Sequence, residues 1–159
     1  MPGPDLHPDC RPLAFLLGTW TGEGEGFYPT VNDFAYGEEV VFDHVGKPFL
    51  RYQQRTWALD DRRPLHAEVG YLRPAAGGTR AELVLAHPTG VADVEEGDVD
   101  GTRLRLATVG LASSGTAKSV TALERDVNVD GDRMSYVVRM AAVGQPLADH
   151  LVATLDRVG

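Results

Sequence analysis

Short stretches in which apolar and polar residues alternate recur along this chain. In residues 133–140 every even position is apolar, namely Met134, Tyr136, Val138 and Met140. The odd positions include Ser135 and Arg139, so the opposite face is partly polar. A period of two predicts a β-strand with one buried face. Residues 103–106 alternate arginine with leucine in the same way and predict another strand within residues 99–109.

Turn-forming residues separate these short apolar stretches. The chain holds 18 glycines and 10 prolines, spread along its whole length. The predicted turns are residues 45–48, 60–64, 75–78, 87–90, 100–101, 113–115, 130–131 and 144–146. Asp130-Gly131 is a strong hairpin signal, because this pair tolerates the positive φ angles of a type I′ turn. Regular turns between short strands predict an all-β sandwich or barrel.

Helix is scarce in the predicted structure. Residues 6–17 can hold a short N-terminal helix whose length is limited by Pro8 and Pro12. Residues 1–12 are expected to form an irregular arm. Residues 147–158 fit two patterns, a helical apolar stripe and a strand buried on both faces. The local pattern alone does not decide between these two structures.

An antiparallel sheet of this length must protect its edge strands, and closure into a barrel removes them. We therefore predict one domain over residues 1–159, a closed antiparallel up-and-down β-barrel of about ten strands. The interior of such a barrel is too wide for side chains alone to fill. An apolar ligand is expected inside it.

The composition excludes several classes of partner and site. The net charge of -8, without any cluster of lysine or arginine, argues against nucleic acid and anionic membranes. Cys10 is the single cysteine, so the chain has no internal disulfide and no cysteine-pair metal site. The start Met-Pro-Gly-Pro-Asp lacks a basic and apolar leader, and the longest apolar runs are far shorter than a membrane span. These features predict a cytoplasmic protein.

The sharpest local motif is the sequence GTWTGEGEGFYPT at residues 18–30. Its alternating glycines, Gly18, Gly22, Gly24 and Gly26, leave one strand face nearly bare. A bare face allows a sharp bend at a barrel corner or the close approach of another element, and it also allows a direct role at a pocket. The glycine spacing does not match a dinucleotide-binding loop, and no helix pattern follows it.

The motif resembles the signature of the nitrobindin family, with Gly18, Trp20, Gly22 and Gly24 at its centre. Four further stretches are similar to that family: residues 64–73, 82–90, 117–120 and 150–155. Nitrobindins are haem-binding β-barrels related in shape to fatty-acid-binding proteins. The resemblance therefore implies haem b as the cofactor, and it implies that residues 147–158 form a strand.

The resemblance also assigns roles to individual residues. His150 matches the axial ligand of the haem iron, and Lys118 matches a position that contacts the haem, where an ammonium suits a propionate. Leu65, His66, His87 and Met140 match residues of the cavity on the other face of the haem. Thr30 closes the signature motif near the pocket. Asp149 is expected to point away from the iron, because neighbouring side chains on a strand face opposite ways.

Without the resemblance, these residues have simpler interpretations. A lone histidine is more often a surface or hydrogen-bonded residue than a ligand. Lys118 could be a surface charge, Met134 and Met140 could be ordinary core residues, and Cys10 could be a buried thiol without a reaction. The acidic run 95–100 is interpreted as a solvated turn, because it lacks the length and pattern of a calcium loop.

The function implied by the resemblance is that of a ferric haem protein that isomerises peroxynitrite to nitrate and binds nitric oxide. A homodimer is compatible with the sequence, although no interface is visible in it. Two alternatives stay open. The barrel could be a haem-free carrier of a fatty acid or other apolar molecule, for which buried arginine or tyrosine would be expected. It could also be an interaction module that has lost haem.

Overall fold

The computed structural model describes residues 2–159, and within them ten antiparallel strands form a closed barrel. The strands are β1 (Gly18–Tyr28), β2 (Val31–His44), β3 (Leu50–Ala58), β4 (Pro64–Ala75), β5 (Arg80–His87), β6 (Val91–Asp100), β7 (Arg103–Ser113), β8 (Val120–Asp130), β9 (Arg133–Ala142) and β10 (Ala148–Arg157). Each strand pairs with its neighbours in sequence, and β1 pairs with β10 to close the sheet. The predicted closed up-and-down barrel is confirmed.

Residues 147–158 are resolved in favour of the strand, since β10 occupies nearly all of this segment. The N-terminal helix is a 3₁₀ helix at Pro8–Leu16, so regular structure begins inside the range expected to be an irregular arm. All eight predicted turns contain a connection between strands. A further turn at Pro29-Thr30, between β1 and β2, was not predicted. The strand expected within 99–109 begins only at Arg103, because residues 101–102 form a turn.

One end of the barrel is closed by the 3₁₀ helix. Its residues Cys10, Leu13 and Leu16 are fully buried against the strands. The Trp20 indole Nε1 donates to the Leu16 carbonyl oxygen over 2.9 Å, which ties the helix to β1. Arg157, from β10, stacks on the Trp20 ring at 4.3 Å and donates to the Leu17 carbonyl oxygen. The motif tryptophan therefore joins the helix, the first strand and the last strand.

The motif glycines allow β1 to approach its neighbours closely. A Cβ at Gly22 would overlap the Thr154 carbonyl oxygen on β10, and a Cβ at Gly24 would overlap the Tyr36 ring on β2. These contacts agree with the expectation of close approach for the bare strand face. The glycines thus belong to the seam at which the barrel closes.

A belt of buried polar side chains crosses the barrel interior. Glu38, Glu68, Asp93 and Glu95 are all nearly or completely buried. The interpretation of residues 95–100 as a solvated turn is wrong, because β6 continues to Asp100 and Glu95 points inward. Glu95 accepts hydrogen bonds from the Arg125 guanidinium at 3.1 and 3.3 Å. Alternate side chains of a strand share one face, so Glu95 lies on the same inner face of β6 as Val91 and Asp93. This alternation places an acidic residue in the core.

Burial raises the pKa of two of these carboxyl groups. The pKa of Asp93 rises to about 8, first because of burial and then because of the hydrogen bond and charge of Glu95. The pKa of Glu38 rises to about 7, also mainly because of burial, although hydrogen bonds from Tyr136 and Gln54 oppose the rise. Asp93 is therefore largely protonated at neutral pH.

No helix among residues 2–159 is long and apolar enough to cross a membrane.

We predict that Gly22→Ala lowers the free energy of unfolding by ~1–3 kcal/mol, because the added methyl group meets backbone that cannot move cheaply. Urea denaturation followed by circular dichroism measures this loss. The matched control is Gly110→Ala, since Gly110 is exposed and a Cβ there meets open space. Equal stabilities of the two variants would contradict the packing assigned to the seam.

We predict that Asp93→Asn becomes more stable relative to the wild type as the pH rises from about 4 to about 8. In this window the unfolded carboxyl is ionised and the folded one is protonated, so the free energy of unfolding of the wild type falls with pH. The slope is at most about 1.4 kcal/mol for each pH unit. Urea midpoints at several pH values test this, with exposed Asp98→Asn as control. A stability difference independent of pH would refute the prediction.

Candidate functional site

A cavity of about 1070 Å³ occupies the barrel at the end opposite the 3₁₀ helix. In an up-and-down barrel alternate turns lie at opposite ends, and residues from the β3–β4, β5–β6 and β7–β8 connections line this cavity, together with the adjoining ends of β1 and β2. Its inner wall is mostly apolar: Leu72, Leu83, Leu104, Leu123, Met134 and Val138. The volume is at the upper end of the roughly 300–1,000 Å³ typical of small-molecule pockets. The cavity therefore has the size and the lining to accept a large, mainly apolar ligand.

His150 enters this cavity from the seam between β10 and β1. The pairing of β10 with β9 shifts register between Asp149 and Leu151, and the pairing of β1 with β2 shifts between Gly26 and Tyr28. Such bulges redirect side chains at the rims of barrels. Here they bring His150 Nδ1 to 2.7 Å from the Phe27 carbonyl oxygen.

The contact with Phe27 determines the proton position on the imidazole of His150. A carbonyl oxygen only accepts, so Nδ1 carries the proton and donates it, and Nε2 keeps its lone pair. Burial lowers the pKa of His150, although the hydrogen bond to Phe27 opposes this effect. A neutral imidazole oriented by its other nitrogen is the arrangement that metal-ligating histidines usually have.

Tyr28 and Lys118 lie beside His150 at the cavity rim. The rings of Tyr28 and His150 meet edge to face at 6.0 Å, and Lys118 Nζ lies 5.3 Å from the centre of the Tyr28 ring. Lys118 is exposed in the connection between β7 and β8. Asp149 is on the outside of the barrel, where it pairs with Arg139 at 3.3 Å. The ammonium of Lys118 is therefore available to an anionic group at the rim.

His66, Glu68 and His87 form a compact cluster on another wall of the cavity. His66 and Glu68 are two residues apart on β4 and share its inner face, and the register of Val69 with Ala86 places Glu68 opposite His87 on β5. The Glu68 carboxylate Oε2 is 3.3 Å from His87 Nδ1 and 3.7 Å from His66 Nε2. Burial lowers the pKa of His87, although Glu68 opposes this effect.

The other carboxylate oxygen of Glu68, Oε1, accepts hydrogen bonds from two buried side chains. Tyr52 donates to Oε1 over 2.6 Å and Arg125 donates to it over 3.1 Å. Burial opposes ionisation of Glu68, but Arg125 and the neighbouring hydrogen bonds hold its pKa well below the usual range. Glu68 is therefore a fixed, ionised carboxylate that contacts two imidazoles.

The structure brings most of the residues that were predicted for the site together around one cavity. His150, Lys118, Leu65, His66, His87 and Met140 all line it. Thr30 does not line it, because it is exposed in the β1–β2 turn. Gly18, Trp20, Gly22 and Gly24 belong to the seam and the closed end. Tyr28, Glu68 and Arg125 were not among the predicted site residues. Only Glu68 had a signal in the sequence, because it is two residues from His66 and so shares the inner face of β4.

The residues around the cavity fit haem b. An apolar interior suits the porphyrin, the Nε2 lone pair of His150 suits its iron, and the ammonium of Lys118 suits a propionate at the rim. The donor set matches a haem ligated by one imidazole.

Comparisons with known proteins agree with this fit. Residues 9–157 match the model of the THAP4-like, heme-binding beta-barrel domain. The chain is 56% identical over 157 residues to peroxynitrite isomerase 2 of Mycobacterium avium strain 104, covering 96% of this chain and 97% of the relative. It is 52% identical over 160 residues to the peroxynitrite isomerase of Nocardia farcinica, covering 98% of this chain and 95% of the relative.

A solved structure supports the same assignment. The crystal structure of Rv2717c from M. tuberculosis superposes with a TM-score of 0.90 at 49% sequence identity, covering 98% of this chain and 100% of the other. This chain therefore belongs to the THAP4-like family of haem-binding β-barrel domains.

Proposed function

We propose that this protein is a haem-dependent isomerase that converts peroxynitrite to nitrate. The single observation that carries the proposal is the His150 imidazole, which donates from Nδ1 to Phe27 and keeps a lone pair at a large apolar cavity. Relatives that are more than half identical over nearly their full length are named peroxynitrite isomerases. The cavity, the oriented histidine and these relatives support one function.

Bound ferric haem supplies an iron centre that can rearrange peroxynitrite to nitrate. His150 Nε2 would hold the haem iron, and the hydrogen bond from Nδ1 to the Phe27 carbonyl oxygen keeps the ring in one orientation. Because the pKa of His150 is lowered by burial, the ring stays neutral and keeps its lone pair at neutral pH. The His150 imidazole is therefore already oriented and neutral before haem binds, so it needs no rearrangement to ligate the iron.

The walls of the cavity control what else can enter. Leu65 and Met140 contribute apolar surface near the rim, which disfavours water beside the reacting oxyanion. His66 is the half-exposed polar group on the wall, and we assign it the role of donor to a small anionic ligand. A wall with few donors does not stabilise bound dioxygen, so an oxygen carrier is disfavoured.

A carrier of fatty acids is the competing function, and the interior argues against it. The barrel does contain a buried arginine and buried tyrosines, which a carrier would aim at the carboxylate of its ligand. Here Arg125 is bonded to Glu68 and Glu95, and Tyr136 donates to Glu38 over 2.6 Å. The internal carboxylates already occupy the donors that a fatty acid would need.

Our proposal extends to four further properties. Nitric oxide is a second small ligand of the same cavity. A homodimer could use the outer face of β4 and β5, where Val69, Tyr71 and Val84 are each at least 40% exposed. A cytoplasmic location agrees with the free, buried thiol of Cys10, since reducing compartments preserve thiols. Residues 1–159 act as one domain, in agreement with the family match over 9–157.

We predict that haemin titrated into the wild-type protein gives a saturable one-to-one Soret shift and that His150→Ala abolishes the axial-ligation component of this shift. The reason is that His150 Nε2 is the oriented imidazole nitrogen proposed for the iron. His44→Ala is the matched control, because His44 lies beside the β2–β3 turn at the closed end. A Soret spectrum unchanged in His150→Ala would mean that another residue ligates the iron.

The same proteins then test the reaction. Stopped-flow decay of peroxynitrite should be accelerated by the haem-loaded wild type with a raised yield of nitrate, and the acceleration should fall at least about tenfold in His150→Ala. Haem binding without faster decay would refute the isomerase and leave a haem protein of another function. Absence of haem binding would refute the haem protein and favour the haem-free carrier.

We predict that Lys118→Gln speeds the loss of haem to an acceptor protein by about two- to fivefold. An exposed ion pair contributes only ~0.2–1 kcal/mol, which corresponds to this modest effect. The control is Lys47→Gln, because Lys47 is the only other lysine of the chain and lies in the β2–β3 connection at the opposite end. Equal rates of haem loss in the two variants would show that Lys118 does not contact the haem.

A further inference from the structure

We propose that His66, Glu68 and His87 form a binding site for one first-row divalent cation, Zn²⁺ or Fe²⁺, separate from the haem ligand His150. The ligand atoms are His66 Nε2, Glu68 Oε2 and His87 Nδ1, all within 4.8 Å of one another. Two imidazoles and one carboxylate are a ligand set that zinc enzymes and non-haem iron enzymes both use.

The three ligand atoms have the spacing that a metal ion requires. Their separations are 3.3 Å, 3.5 Å and 3.7 Å, so they form a nearly regular triangle. The point equidistant from them lies about 2.0 Å from each, which is the usual Zn–N and Zn–O distance of about 2.0–2.2 Å. A small displacement of the ion out of this plane gives trigonal-pyramidal coordination and leaves a position open toward the cavity.

The surroundings of Glu68 orient it as a ligand. Tyr52 and Arg125 both donate to Oε1, so Oε2 is the oxygen that faces the two imidazoles. Partners of this kind fix the orientation of carboxylate ligands in metal sites. The side chain of His87 is 9% exposed, and its polar contacts are all made by Nδ1, which faces Glu68 and His66, whereas its Nε2 has no hydrogen-bond partner.

The local charge also favours a cation. Arg125 is the only cationic side chain bonded to this cluster in the described part of the chain, and it is shared between Glu68 and Glu95. Two carboxylates around one guanidinium leave one negative charge in excess. A divalent ion bound to Glu68 Oε2 compensates this charge in a region from which water is largely excluded.

The backbone holds the ligands where they are needed. The His66 amide donates to Thr56 Oγ1 over 3.0 Å, which anchors the start of β4 on β3. Glu68 and His87 are cross-strand neighbours on paired strands. Because His66 is half-exposed and lines the cavity, an ion can reach the site from the open end.

The test is a titration of the metal-free full chain with Co²⁺, followed by its visible d–d bands, and with Zn²⁺ by calorimetry. We expect one equivalent of each ion to bind and Zn²⁺ to displace Co²⁺. His66→Ala should lower the Zn²⁺ affinity by about 100-fold or more, beyond the 10–100-fold typical of losing an outer partner. The half-exposed position of His66 makes this variant the safest for the fold, which circular dichroism checks. His87→Ala and Glu68→Gln should lower the affinity at least as much.

The controls separate this site from the haem and from surface histidines. His150→Ala and His7→Ala should each retain the wild-type affinity for Zn²⁺. The Co²⁺ titration of the haem-loaded wild type should again show one bound ion. The proposal is overturned if the wild type shows no Co²⁺ bands, or if His66→Ala and His87→Ala bind Zn²⁺ as tightly as the wild type. Either failure would leave the haem titration, and with it the proposed isomerase, untouched.

Discussion

The hydrogen-bonded pairing of β1 with β10 closes the barrel, and both ends of the molecule depend on it. At one end of this seam Trp20 and Arg157 hold the 3₁₀ helix in place. At the other end the two strands part, and the bond from His150 to Phe27 replaces the next pair of the ladder. Between these ends, the glycines of β1 permit close contact with β10 and β2. The pairing of β1 with β10 thus positions the 3₁₀ helix at one end and orients the imidazole proposed for the haem iron at the other.

The belt of buried polar side chains is the second feature that organises the interior, and the burial of its charges lowers the free energy of unfolding. Charges removed from water cost several kcal/mol each unless partners compensate them. Arg125 compensates Glu68 and Glu95, whereas Asp93 and Glu38 adapt by a raised pKa. Within the belt, Arg125 and the neighbouring hydrogen bonds keep Glu68 ionised beside the two histidines. Hydrophobic replacements of the same volume would pack well but would remove this polar wall.

The fold was predictable from the sequence because its evidence is local. Alternation in single strands and turn residues between them are readable over about ten residues. Residues 147–158 could not be decided locally, because the segment fits both a helical apolar stripe and a strand, and the family resemblance was needed. In the structure β10 buries Ala153 and Leu155, whereas Val152 and Thr154 on its other face are exposed, so the expectation of burial on both faces was wrong. The Pro29-Thr30 turn was missed because it lies inside the motif at residues 18–30 and carries no glycine.

A site residue was predictable only where it belongs to a stretch that resembles the family. His150, His66 and His87 could be placed by resemblance, but Arg125 lies between Glu124 and Asp126 and has the pattern of a surface strand. Its partners are 57 and 30 residues away in sequence. Acidic residues 95–100 misled for the same reason, since nothing near Glu95 in sequence neutralises it. Long-range pairing of charges is information that a local pattern does not hold.

The unequal ends of the barrel have a consequence for kinetics. Because the 3₁₀ helix is packed into one end, a ligand that leaves the cavity passes the rim formed by the opposite connections. Two of these connections hold non-glycine residues at positive φ, Arg62 at 60° and Val143 at 48°, a conformation that is costly for a β-branched side chain. The route by which a ligand is exchanged therefore lies at one end of the barrel, whereas the buried contacts of Cys10, Leu13 and Leu16 lie at the other. Exchange of the ligand and durability of the scaffold can in this way be tuned by different parts of one small chain.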